Sequence, residues 1–148
     1  MVDVCRAMKI ALDVRKPFVL FVRGIYSQWH KSKFYGPMVV GEDTTTSHTW
    51  SSGEQYMMAC KAALFNDKAA LLKIQRNNNP REIKQLGRQV RGFNNKTWNQ
   101  NKFNIVVEGN HRKFHNADLR AAVGRTSHLF HCFSSFPFSD VYYRCAMS

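Results

Sequence analysis

From residue 17 to residue 50 apolar and aromatic side chains come in short dense runs. From there to about residue 123 they recur every three or four positions, so a small β element precedes a helical body. Phe18-Val19-Leu20-Phe21-Val22 follows Pro17 and is closed by Gly24, which reads as a strand near 18–22. A second strand is expected near 35–40, then a polar, Thr-rich turn from Gly41 to His48 and a brief return strand at Thr49-Trp50. Helices are predicted at about 52–64, 67–75, 80–91, 98–115 and 117–123. Asn66-Asp67 caps the second, Asn77-Asn78-Asn79-Pro80 stops it and starts the third, and Asn94-Asn95-Lys96-Thr97 caps the fourth. In the fourth, Phe103, Val106, Val107 and His111 keep helical spacing. The fold class expected is mainly α (α+β), a compact single domain of about five helices with a small β element near the N-terminus. Val4, Met8 and Leu12 admit a short amphipathic helix within residues 1–16, and the aromatic-rich stretch Ser127 to Ser148 shows no period and takes no assignment.

Trp50 to Ala63, reading WSSGEQYMMACKAA, is the stretch around which the chain is organised. In a helix opening near Ser51 or Ser52, Glu54 falls in the first turn, where the backbone dipole favours a carboxylate. Lys61 follows at i+7 on the same face, about two turns on. The alternative is that one of the serines caps the helix and Glu54 completes a capping box.

Composition narrows the partners. The chain has 148 residues, enough for one domain with a proper core, and its 22 Lys and Arg against 10 acids leave +12. Such a balance points to a polyanionic partner or a phosphate-bearing ligand. The basic residues are spread from Arg6 to Arg144, which argues against a dedicated nucleic-acid arm. Cys5, Cys60, Cys132 and Cys145 form no C-x-x-C pair, as in a reduced intracellular protein. Arg6, Lys9, Asp13, Arg15 and Lys16 break any signal-like apolar run, so the chain is expected to be soluble and cytoplasmic or nuclear.

Several local constellations carry candidate chemistry. Ile25 to Phe34 is dense in aromatic, hydroxyl and amide groups that can stack on a planar base, although Trp29 and Phe34 could equally plug the core. Leu86-Gly87-Arg88 offers a close approach at the glycine and a guanidinium suited to phosphate. Trp98 is a core residue or a stacking face. His111 and His115 have the i, i+4 spacing of zinc hydrolases but lack the Glu of H-E-x-x-H and an obvious third ligand, so no metal site is expected. No local signature supports a Cys-His nucleophile at Cys60 or Cys132.

Phe34, the block Trp50-x3-Glu54-Gln55-Tyr56-x4-Lys61-Ala62, Phe65, Pro80, Leu86-Gly87-Arg88, Trp98 and Lys113-Phe114 occur in an order that resembles the NADAR (YbiA-like) family. Gln55 stands where the family frequently has His. The segment Ser27-Gln28-Trp29-His30-x-Ser32-x-Phe34 is similar to that family's entry loop. The resemblance covers about residues 18–126, leaving 1–17 as an N-terminal extension and 127–148 as a divergent tail. The family usually continues into a segment containing Trp-Gly-x-Gly, of which Ser134 to Asp140 is at best a faint echo, so the domain is expected to be C-terminally incomplete.

The resemblance implies a hydrolase of the N-glycosidase type, acting on ADP-ribose on guanine in nucleic acid or on a riboflavin-pathway ribosylaminopyrimidine phosphate, without metal or organic cofactor. Cleavage of a C–N bond at an anomeric carbon passes through an oxocarbenium-like state that a nearby carboxylate stabilises. Glu54 suits that role. Trp29, Trp50 and Trp98 would enclose base and sugar, with Gln55 beside them, while Lys61 and Arg88 would meet phosphate oxygens and substrate would bridge Glu54 to Lys61. The alternative is a non-catalytic ADP-ribose or nucleic-acid binding module.

Overall fold

The computed structural model describes residues 18–20, 24–40, 43–125 and 130–132. The predicted 1–16 helix and the tail from 133 lie outside them. Contacts along the chain group into two units, one of residues 31–116 and one of residues 1–30 with 117–148.

The 31–116 unit begins with a hairpin. Strand β2 (Phe34–Val40) pairs antiparallel with β3 (Asp43–Trp50), from Phe34 opposite Trp50 to Val40 opposite Asp43. From Asp43 onward the Thr-rich stretch expected as a turn is therefore strand, as the β-branched run Thr44-Thr45-Thr46 favours. The register shifts between Pro37 and Val39, a bulge that accommodates a proline without an N–H to give. Phe34, Gly36 and Met38 are buried while Tyr35 is exposed, the period-two signature of a strand with one face on a core.

Helix α1 (Gly53–Leu64) is the axis of this unit. Residues 53–60 and Ala62 are all buried, because α2 (Lys68–Gln75), α3 (Pro80–Arg88), α4 (Asn95–Lys113) and β2 pack around it. Each helix starts on a side-chain cap: Ser52, Asp67, Asn79 and Asn94 accept from the N–H of Gln55, Ala70, Arg81 and Thr97. The Asn94 cap starts α4 at Asn95, earlier than the predicted 98. The third helix ends at Arg88 rather than near 91, since the Arg91 backbone N–H and guanidinium bind the Asp67 carboxylate and Val90 turns inward. That pairing, first through the guanidinium, holds the Asp67 carboxyl well below the usual range.

The buried stripe of α4 is Lys102, Ile105, Gly109 and Lys113, not the predicted face of Phe103, Val106, Val107 and His111. Gly109 lies against the Tyr56 ring, where a Cβ would come within 2.7 Å of Cδ1, so a glycine rather than a large apolar residue marks the inward face.

In the other unit, β1 (Phe18–Leu20) pairs parallel with β4 (Phe130–Cys132), a strand inside the stretch that showed no period. A turn at 24–30, with Gly24 at φ +78°, places the Tyr26 hydroxyl to donate to the carbonyl of Ala122 in α5 (Ala117–Arg125) at 3.1 Å. The described residues thus form five helices and two small sheets, an α+β fold. No helix among them is long and apolar enough to cross a membrane.

Candidate active site

At the start of α1, the Ser52 hydroxyl accepts the Gln55 backbone N–H at 3.3 Å, and Gln55 Oε1 accepts the Ser51 N–H at 2.7 Å. The reciprocal cap is therefore made by Gln55, one position after the residue the capping-box alternative required. Glu54, the residue just before Gln55, is 1% exposed. A carboxylate is costly to bury, and its place in the first helical turn, beside backbone N–H groups and the positive dipole end, lowers that cost.

Gln55 itself is framework. Its Nε2 donates to the carbonyls of Ile74, Gln75 and Asn77 at 3.0, 3.2 and 2.8 Å, capping the end of α2 from the side. Both ends of the amide are thus engaged within the fold. Trp50 is also interior: it is 0% exposed, its indole N–H donates to the Gly36 carbonyl at 3.0 Å, and Tyr56 meets it edge-on at 5.5 Å. It shows no face to solvent. The Tyr56 hydroxyl accepts from the Val39 N–H at 3.4 Å, and burial raises its pKa. Burial likewise pushes the Cys60 thiol up to about 12, which leaves it protonated and unsuited to nucleophilic work.

Lys61, Trp98 and the Leu86-Gly87-Arg88 motif come together at the other end of α1. Lys61 Nζ donates to the Gly87 carbonyl at 2.7 Å and sits 4.3 Å from the Phe93 ring centroid and 5.5 Å from that of Trp98. Burial lowers its pKa. The close approach that Gly87 permits is taken by Met58 of α1, whose Cγ would stand 2.8 Å from an added Cβ. Arg88 is exposed beside it. Trp29, 36% exposed, belongs to the other unit, on the 24–30 turn, where its backbone N–H donates to Ser27 Oγ at 3.2 Å.

Lys113 is a buried cation that the sequence analysis did not place in the site. It is 0% exposed, and burial pushes its pKa down to about 8. Lys61 over Trp98 and Tyr56 on Gly109 set α1 and α4 antiparallel, so Lys113, one turn beyond Gly109 on the same inward stripe, stands toward the Glu54 end of α1. The Lys113-Phe114 pair was visible in the motif order, but reading Phe103 and Val107 as the core face turned it away from α1. Among the described residues no three His, Cys, Asp or Glu side chains gather as a metal site; His111 and His115 are exposed, with ring centroids 6.1 Å apart.

A helical domain around one buried helix, with a carboxylate in its first turn, is the class this fold defines. The chain belongs to the NADAR domain family, whose pattern matches residues 21–130. It is 45% identical over 96 residues to an N-glycosidase of Acanthamoeba polyphaga mimivirus, covering 64% of this chain and 54% of that protein. The chain thus spans about half the length of this curated relative. Its fold is similar to the NMR structure of the E. coli protein YbiA, with a TM-score of 0.61 at 22% identity, over 80% of this chain and 67% of that one.

Proposed function

We propose that the chain is an N-glycosidase acting on a phosphorylated riboside, with Glu54 as the catalytic carboxylate. The observation that carries this reading is a nearly inaccessible Glu54 in the first turn of the central helix, next to a cap made by Ser52 and Gln55. In the reaction the C1′–N bond breaks with its electron pair leaving on the base, positive charge builds on the ribose, and Glu54 stabilises it. Water adds to C1′ and releases a proton, and the base takes one up. Lys113, with a pKa near 8, is suited to hold that proton for the departing base. The kinship with an N-glycosidase over 96 residues supports the same reading.

The substrate is ADP-ribose on guanine in nucleic acid or a ribosylaminopyrimidine phosphate of the riboflavin pathway, and the +12 charge suits either. The same charge favours one second reading, a binding module for ADP-ribose or nucleic acid without catalysis. Incubation with each substrate and detection of free ADP-ribose or ribose phosphate by mass spectrometry tests both. Release of either product supports the glycosidase, and binding without product supports the module.

A further inference from the structure

A groove of about 520 Å³ lies within the 31–116 unit, between β2 and the C-terminal end of α4. Lys33 and Tyr35 line it from the strand side, and Glu108, His111, Arg112 and His115 from the helix side. Strand alternation makes the first wall. Phe34 turns inward onto Tyr56, so its neighbours turn outward and Tyr35 is left 69% exposed. Helical spacing makes the second wall, since positions 108, 111 and 112 are neighbours on one surface, and His115 joins them from the turn after the helix. Glu54 is not among the residues that line this groove.

Arg112 is a fixed feature of this groove. Its guanidinium packs on Gly36, where any Cβ would collide with it, and Nη2 pairs with the Glu108 carboxylate one turn back. That carboxylate does not use all five donors, and no described residue accepts from the buried Nε. An open cation at Lys33, a guanidinium braced by the Glu108 carboxylate, two imidazoles and an exposed phenol ring therefore line one groove. A protein interface would need an apolar centre, and the lining offers only Phe34, 7% exposed, to serve as one. Aromatic faces beside cations fit unpaired bases joined by phosphates. A duplex hides its bases from such stacking.

We infer that this groove binds a single strand of nucleic acid, with bases stacked on Tyr35 and the imidazoles of His111 and His115 and phosphates against Lys33 and Arg112. The inference does not rest on catalysis by Glu54. Fluorescence anisotropy of the full chain with a labelled oligothymidylate of fifteen nucleotides, and with a duplex of equal length, tests it. The single strand is expected to bind more tightly. Tyr35→Ala is expected to weaken it about 5-fold to 100-fold, whereas Tyr35→Phe, which keeps the stacking face, retains it. Lys33→Gln is expected to reduce the salt slope by about 0.7, the share of one phosphate contact on a single strand. Lys73→Gln, the same charge change on α2, is expected to bind like wild type. Equal binding of duplex and strand, or wild-type affinity in both Tyr35→Ala and Lys33→Gln, overturns the assignment. So does a loss in Lys73→Gln equal to that in Lys33→Gln, which would mean diffuse charge rather than a groove.

Discussion

Lys61 Nζ donates to the Gly87 carbonyl oxygen at 2.7 Å, tying the last turn of α1 to the last turn of α3. A carbonyl there has no partner within its own helix, and a cation is the favoured group at that end of the dipole. The ammonium is thus structural in this state and is held between Phe93 and Trp98 as well. Lys61→Met keeps the apolar stem but removes the donor. It is expected to cost about 1–3 kcal/mol, read as a lower urea midpoint at unchanged slope. An unchanged midpoint would return Lys61 to the role of a spare cation awaiting phosphate.

Gln55 supports an equally direct test. Its amide serves three carbonyls at the end of α2 and one N–H at the start of α1, and Gln55→Ala strands several of them in a buried place. The expected loss is about 2 kcal/mol or more. Gln55→His can still accept at one nitrogen and donate from the other, so it is expected to cost clearly less. If alanine and histidine are equally harmful, the hydrogen-bond account of this position is wrong.

The buried amine of Lys113 gives stability a pH dependence whose sign is fixed. Its folded pKa of about 8 lies below the ordinary 10.5, so above about pH 8 the unfolded chain holds more protons and stability rises with pH. The window is short. Cys60, shifted from 9.0 up to about 12, works the other way once the unfolded thiol ionises, so its contribution declines above about pH 9. Between pH 8 and 9, wild type is expected to gain stability in urea melts and Lys113→Met to gain much less. Parallel curves for the two proteins would assign the titration to another group.

The extent to which sequence showed all this follows from what each pattern encodes. Caps are local chemistry, so Asn79-Pro80 and Asn94 announced their helices correctly. The α4 face was misread because its inward stripe is Lys102, Ile105, Gly109 and Lys113. Two lysines and a glycine there look polar, and only the Tyr56 ring against Gly109 explains the choice. Gly87 was legible as a point of close approach but not as to what approaches, since a glycine beside Met58 and one beside a ligand read alike. Trp50 was legible as important; that its indole serves Gly36 depends on strand pairing sixteen residues apart, Phe34 to Trp50, which local spacing does not carry.

Glu54→Gln bears most directly on the proposed reaction. The amide keeps the shape and most of the hydrogen bonding of the carboxylate but removes its charge. Ser52 and Gln55 already make the helix cap, so the substitution leaves the cap in place. Stability is therefore expected to change little and ligand binding only modestly. Turnover is expected to fall about 100-fold or more, the scale of losing a positioned acid, base or electrostatic stabiliser. Single-turnover release of ADP-ribose or ribose phosphate measures it, with urea melts run alongside to separate folding from chemistry. Equal turnover by wild type and Glu54→Gln ends the catalytic assignment. A large loss of stability with proportionate loss of turnover would instead make Glu54 a buried structural carboxylate of α1.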